Sequence, residues 1–153
     1  MKNSGLISLP VMCLLLAGLC SHAQTPFPTD KQGTQRYRTI ISHGATELSG
    51  LLAVKFSANE WRGTMMNEFG IKAFDFIASK GKCRLKNVVP MMNKWYIRKT
   101  VERDLHSLLW DYPAGKQVKN RQLEMDSDGA FRLINTKRKI TYSFHPFPHE
   151  TDR

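Results

Sequence analysis

Two short segments carry side chains of the kinds that bind metal ions. The first, Asp126-Ser-Asp-Gly129, places carboxylates at alternate positions before a glycine, as in part of a calcium-binding loop. The complete loop does not fit, because aligning both aspartates with ligand positions puts Asn135 where a bidentate carboxylate is required. In the second, His145-Pro-Phe-Pro-His149, two prolines prevent the helix that would bring the histidines together. We therefore expect a turn at the first segment, no metal site and no cofactor.

The other reactive side chains stand alone in the sequence. Cys83 is the only cysteine after residue 23, so no internal disulfide is expected, and the pattern Lys82-Cys-Arg-Leu-Lys86 predicts a thiol buried on a strand. His43 and His106 have no partner in an interpretable catalytic pattern. Glycine-rich phosphate loops and serine nucleophile elbows do not occur in the sequence. The sequence therefore favours a protein that is not an enzyme.

Positive charge dominates the chain. It has 23 Lys+Arg against 13 Asp+Glu, a formal net charge of +10 at pH 7, which favours anionic partners. One basic cluster, Lys80, Lys82, Arg84 and Lys86, takes alternate positions on a predicted strand, and a second is Lys137-Arg-Lys139. Neither cluster contains the aromatic residues that stack on bases, so we expect no nucleic-acid partner. A solvated face, or attraction to an anionic membrane surface, is the preferred interpretation.

Residues 1–23 have the features of a cleavable secretory signal peptide. One positive charge precedes an apolar stretch, and Ser21-His-Ala23 supplies small residues before cleavage after Ala23. The apolar stretch is too short for a membrane-spanning helix. An alternative is an outer-membrane lipoprotein modified at Cys20, but Leu19 stands where a small residue is needed. We expect an exported protein, periplasmic or secreted, and lipidation is the less favoured alternative.

The remainder of the chain divides into three parts. Residues 24–34 are rich in proline and polar groups and predict a flexible linker, while residues 145–153 predict a frayed tail. Between them, residues 35–144 predict a single domain of about six or seven antiparallel strands, because apolar side chains recur at every second position. From Met92 to Trp110 the apolar spacing changes to three and four, which predicts one long amphipathic helix. The expected class is α+β, mainly antiparallel β.

Four segments within residues 36–112 resemble a known group of proteins. They are Leu48-Ser-Gly-Leu-Leu-Ala-Val-Lys55, Met66-Asn-Glu-Phe-Gly-Ile-Lys-Ala-Phe-Asp-Phe76, Met92-Asn-Lys94 and Val101-Glu-Arg-Asp-Leu-His-Ser-Leu-Leu109. With these segments the chain resembles uncharacterised exported bacterial proteins that are similar to the LolA/LolB superfamily of lipoprotein carriers and receptors. The resemblance implies a LolB-like half-barrel, in which a curved meander sheet and one packed helix enclose an apolar site for acyl chains.

The function expected from this resemblance is lipid binding without bond making. The candidate lining of the acyl-chain site is Leu52, Val54, Phe56, Met66, Phe74, Phe76, Ile97, Val101 and Leu105. Burial of an acyl chain is worth about 0.8 kcal/mol per CH₂, so comparable burial in a protein suffices to carry a lipid. We expect an exported, non-enzymatic carrier of the bacterial envelope whose partner is a lipid or the acyl chain of a lipoprotein. The alternative is a basic, envelope-associated structural or interaction module without a ligand cavity.

Overall fold

Residues 25–147, the part of the chain that the computed structural model describes, form eight antiparallel strands and one helix. The predicted α+β class, mainly antiparallel with a helix packed on the sheet, is confirmed. The segment predicted as a signal peptide and the last residues of the predicted tail lie outside the described residues. The strand bounds are β1 Gln35–His43, β2 Thr46–Ser57, β3 Glu60–Asn67, β4 Lys72–Ser79, β5 Lys82–Lys86, β6 Arg121–Met125, β7 Phe131–Asn135 and β8 Ile140–Pro146.

The strands pair in the order β5-β4-β3-β2-β1-β8-β7-β6, so the first strand lies at the centre of the sheet. The first five strands form a meander, and the last three return along the other side of β1. β5 and β6 are the two edges, and the sheet is open and uncurled. Short hairpin turns join most neighbours, which is the simplest way to connect antiparallel strands.

The helix α1 spans Trp95–His106 and continues as a π-helical segment, Ser107–Asp111. It begins three residues later than the sequence predicts, because Pro90–Met92 form a separate 3₁₀ turn. Its buried side chains include Val101 and Leu105, which lie one turn apart and so share the face that packs on the sheet. Burial of this amphipathic face, rather than helix propensity, accounts for most of the helix's stability.

β6 is the strand that the sequence did not predict. The sequence predicts six or seven strands, and the structure adds this eighth one, which pairs with β7 through a hairpin. The expected turn at Asp126–Gly129 closes this hairpin: the amide of Gly129 donates to the carbonyl of Asp126 at 3.2 Å, and Gly129 has φ +84°. The carboxylate of Asp128 accepts from the amide of Ala130 at 3.1 Å, so a turn contact occupies one of the two candidate calcium ligands.

Phe27 lies in the segment predicted as a flexible linker. Residues 25–34 contain no helix or strand, but the Phe27 ring is buried against an aromatic group formed by Tyr37, Phe131 and Phe144. Its centroid lies 4.9 Å from that of Phe131 with the rings nearly perpendicular, an arrangement that the aromatic quadrupoles favour. This part of the segment is therefore packed on the domain rather than free.

Candidate functional site

The sheet has two faces of opposite character, because successive side chains of a strand point to opposite sides. The face that packs on α1 is apolar and buried, and we call it the inner face. The other is here called the outer face. Across β1 to β5 the strand register gives it the following residues: Arg36, Arg38, Ile40, Ser42, Glu47, Ser49, Leu51, Ala53, Lys55, Ser57, Glu60, Arg62, Thr64, Met66, Asp75, Ile77, Ser79, Lys82, Arg84 and Lys86.

Most of the predicted acyl-chain lining belongs to the inner face and the helix. Six of these side chains are buried in one continuous core, and two more are half-buried against it. The buried six are Leu52, Val54, Phe74, Phe76, Val101 and Leu105; the half-buried two are Phe56 and Ile97. In the described structure these side chains pack against one another, so sheet and helix meet in a filled core.

Met66 is the exception, and its assignment to the inner lining is wrong. It pairs with Leu51, whereas its neighbour Met65 pairs with Leu52 on the inner face and is fully buried. Adjacent residues of a strand face opposite ways, so only one of the two methionines can reach the core. Met66 therefore contributes to the outer face.

The outer face carries positive charge that no carboxylate of residues 25–147 pairs with. Arg62 forms an ion pair with Glu60, and Lys72, next to the face, pairs with Asp75 at 2.9 Å. Six further cations form no ion pair within the described part of the chain: Arg36, Arg38, Lys55, Lys82, Arg84 and Lys86. Three of them belong to the cluster that the sequence singled out on β5, and the sheet brings the other three into the same face.

Asp75 is a carboxylate that faces the basic residues of β5 across the sheet, opposite Lys86. It accepts hydrogen bonds from Thr64 Oγ1 at 2.7 Å, Asn87 Nδ2 at 2.6 Å and Lys72 Nζ at 2.9 Å. Partial burial raises the pKa of Asp75, but these hydrogen bonds and the Lys72 charge outweigh it, and the net effect lowers the pKa below its ordinary value. The Asp75 carboxylate is thus occupied by these three partners, and it forms no ion pair with any of the six unpaired cations.

The turn between β3 and β4 presents apolar side chains to solvent at one end of this face. Asn67 Oδ1 accepts from the amides of Phe69 at 3.0 Å and Ile71 at 2.8 Å, and Gly70 takes φ +76°. Closed in this way, the turn leaves Phe69 87% and Ile71 60% exposed. The Asn-Glu-Phe-Gly segment that distinguishes the sequence therefore builds a rigid turn with a protruding aromatic ring.

A shallow groove of about 520 Å³ lies beside this turn on the outer face. Leu51, Met66 and Phe147 supply its apolar walls, and its charged lining residues are Arg38 and Glu68. Phe147 belongs to the predicted tail, and its amide donates to the carbonyl of Arg36 at 3.0 Å, which fixes it beside β1. The cations and the apolar groove thus share the outer face, and the turn with the exposed apolar side chains borders the groove. Sequence reasoning found the β5 cations but not the groove, because three strands and the distant Phe147 build it together.

Reactive groups elsewhere are engaged in structural contacts. His106 Nε2 lies 2.9 Å from the carbonyl oxygen of Lys80, and its Nδ1 lies 3.3 Å from Asp111. Burial, followed by the nearby charge of Glu102, raises the pKa of the Cys83 thiol to about 12, which keeps it protonated and unreactive at neutral pH. Within residues 25–147 there is no group of three His, Cys, Asp or Glu side chains placed to hold a metal ion.

No protein-family model and no curated protein matches the chain. Between residues 25 and 147 no helix has the length and apolar character needed to cross a membrane. The function must therefore be argued from the geometry and charge of the outer face.

Proposed function

We propose that this chain is an exported, non-enzymatic protein of the bacterial envelope whose outer face docks onto an anionic lipid surface. The observation that carries the proposal is that six unpaired cations share one face of the sheet, and that the turn bordering the groove on this face carries the exposed Phe69 and Ile71. This is the interaction module that the sequence offers as the alternative to a carrier. The filled core between sheet and helix makes it the better supported of the two functions.

A bilayer matches both chemical components of this surface. Each Lys or Arg held near an anionic membrane contributes about 1 kcal/mol, and the contributions fall off within a Debye length of about 8 Å. Full burial of a phenylalanine side chain adds roughly 1.5–3 kcal/mol. Charge therefore brings the outer face to the membrane, and insertion of Phe69 and Ile71 fixes which end of the sheet enters the interface.

Co-sedimentation with lipid vesicles tests the proposal. The chain is expected to bind vesicles that contain phosphatidylglycerol, to ignore pure phosphatidylcholine vesicles and to be released by salt. The double variant Arg36→Gln/Arg38→Gln should weaken binding about thirtyfold, since it removes two contributions of about 1 kcal/mol each. Phe69→Ser should weaken binding without changing its salt dependence.

The matched control is Lys94→Gln/Lys116→Gln, which removes the same charge from exposed positions outside the outer face. It should bind vesicles as the unchanged chain does. Equal binding to neutral and anionic vesicles, or equal losses in the control and the Arg36/Arg38 variant, would contradict docking through the outer face.

A carrier of acyl chains is the second candidate function. The observation in its favour is that eight of the nine predicted lining residues do lie together between the sheet and α1. For an acyl chain to enter, the helix would have to separate from the sheet and the open sheet to curl toward a LolB-like half-barrel. Protein purified from the periplasm would then carry lipid in native mass spectrometry, and the absence of co-purifying lipid would exclude this function.

A further inference from the structure

A second basic site lies on the helix side of the sheet. It is a cleft of about 400 Å³ between the start of α1, the approach to β6 and the turn between β7 and β8. Six of its twelve lining residues are cations, and none is an acid. We call it the basic cleft and define it by Lys99, Arg103, Lys119, Arg121, Lys137 and Arg138. Its volume lies within the range of small-molecule sites.

A buried carboxylate beneath the cleft holds part of its wall in place. Asp104 is fully buried on α1 and accepts from Arg121 Nε at 2.7 Å, Asn135 Nδ2 at 2.9 Å and the Tyr142 hydroxyl at 2.7 Å. Asn135 Oδ1 in turn accepts from the amide of Arg138 at 3.0 Å. These contacts fix one guanidinium and the backbone of the β7–β8 turn before any ligand arrives, which reduces the entropy cost of binding.

The other five cations of the cleft have no acidic partner in the described part of the chain. Asp104 is engaged by Arg121, and the remaining ion pairs of residues 25–147 lie elsewhere. Like charges gathered in one concavity repel each other and raise the local positive potential. An anion that enters the cleft relieves this repulsion, and it gains most if several of its oxygens can accept hydrogen bonds at once.

Two aromatic side chains stand at the mouth of the cleft. Trp95 is 72% exposed, and Tyr96 lies beside it with the ring planes nearly perpendicular. Lys99 Nζ lies 5.8 Å from the Trp95 ring centroid, so a cation and an exposed aromatic face adjoin. A ligand that carries both an anionic group and an apolar or ring-shaped group matches this pair.

We propose that the basic cleft binds the phosphoryl group of a small organic phosphate, whose organic part packs on Trp95. A phosphoryl group offers three oxygens and up to two negative charges, which suits arginine forks and lysines arranged around a concavity better than a carboxylate does. The cleft opens on the helix side, because Arg121 and Asn135 belong to the inner face of β6 and β7. It can therefore be occupied while the outer face contacts a membrane, and the proposal does not depend on that contact.

Isothermal titration calorimetry with four probes tests the site. Inorganic phosphate and phenyl phosphate represent soluble phosphates, monomeric dihexanoyl phosphatidic acid represents a lipid headgroup, and benzoate is the carboxylate comparison. The expected order places both organic phosphates above inorganic phosphate, and benzoate last. Tighter binding of the phosphatidic acid assigns the cleft to lipid headgroups, and tighter binding of phenyl phosphate assigns it to soluble esters.

Lys137→Gln/Arg138→Gln should weaken phosphate binding about a hundredfold or more, since each of the two lost charged hydrogen bonds is worth about tenfold. Both side chains are exposed, and the Arg138 amide that bonds Asn135 is unchanged, so the fold is retained. The control Lys94→Gln/Lys116→Gln and the outer-face variant Arg36→Gln/Arg38→Gln should bind phosphate normally. Equal loss in all three variants, or no heat from any phosphate at millimolar concentration, would overturn the proposal without affecting vesicle docking.

Discussion

Replacing Arg121 by methionine should destabilise the fold far more than its place on an edge strand suggests. Arg121 Nε donates to Asp104 Oδ1 at 2.7 Å, and Asp104, on the buried face of α1, has no exposed surface. Methionine keeps much of the side-chain volume and removes the cation. Asp104 would then hold a buried negative charge that only the neutral groups of Asn135 and Tyr142 contact.

Arg121 and Arg132 form a matched pair from which the loss of stability in Arg121→Met can be judged. Removal of one partner from a buried ion pair costs about 3–5 kcal/mol, because the remaining charge stays desolvated. Arg132 forms an ion pair of similar length with Glu124, at 2.6 Å, but its side chain is 57% exposed against 10% for Arg121. Exposed pairs contribute about 0–1 kcal/mol. Arg121→Met should therefore cost several times more than Arg132→Met.

Urea denaturation of both variants, followed by far-UV circular dichroism, measures the difference in the free energy of unfolding. Domains of this size are stabilised by about 5–15 kcal/mol, so a loss of about 3 kcal/mol is readily resolved. The double variant Arg121→Met/Asp104→Asn should recover part of this loss, since no buried charge is then left unpaired. A cost below about 1 kcal/mol for Arg121→Met, equal to that of Arg132→Met, would refute the role assigned to the buried pair.

Three further predictions follow from burial and close packing. Burial and the charge of Glu102 raise the pKa of the Cys83 thiol to about 12, so the thiol should resist a thiol reagent at pH 8 and react fully in denaturant. Rapid labelling of the folded protein would contradict its burial. Burial raises the pKa of Cys83 from 9.0 and of Tyr37 from 10.0, each to about 12, so the unfolded chain loses these protons first. The free energy of unfolding should then fall as the pH rises from 9 to 12, less steeply in Cys83→Ala, and a flat profile would be the contrary result. Gly50→Ala should cost about 1–3 kcal/mol, because a methyl group there would overlap the carbonyl oxygen of Met66, whereas Gly81→Ala has open space and should be nearly neutral in thermal denaturation.

Periodicity was enough to predict most of the sheet and the helix. Strands with one buried face are marked by alternating apolar and polar side chains, as β2 and β5 are. The helix α1 is marked by apolar side chains at spacings of three and four residues. β6 could not be found in this way. It is an edge strand with little buried surface, in which only Leu123 and Met125 alternate with polar residues, and it forms because β7 offers a pairing partner across a tight turn.

The polar contacts of the two candidate sites lay beyond sequence reasoning. Asp104 interrupts the apolar face of α1 between Val101 and Leu108, a signal that could have indicated a buried carboxylate. Its partners could not be identified, because Arg121 follows at 17 residues and Tyr142 at 38, and only the fold brings them together. Asn67 is similar: its segment is distinctive in the sequence, but its role depends on two amides that the β3–β4 turn orients.

The orientation of the chain on a lipid surface tests the central claim most directly. Cys83 is buried, and in a Cys83→Ala background a spin label can be placed at Phe69→Cys in the turn beside the outer-face groove or at Lys94→Cys at the start of α1. With phosphatidylglycerol vesicles, electron paramagnetic resonance should find the label at position 69 accessible to oxygen and shielded from a water-soluble nickel complex. The label at position 94 should remain accessible to nickel. If both labels stay in water, or if only the label at position 94 becomes shielded, the outer face is not the docking surface.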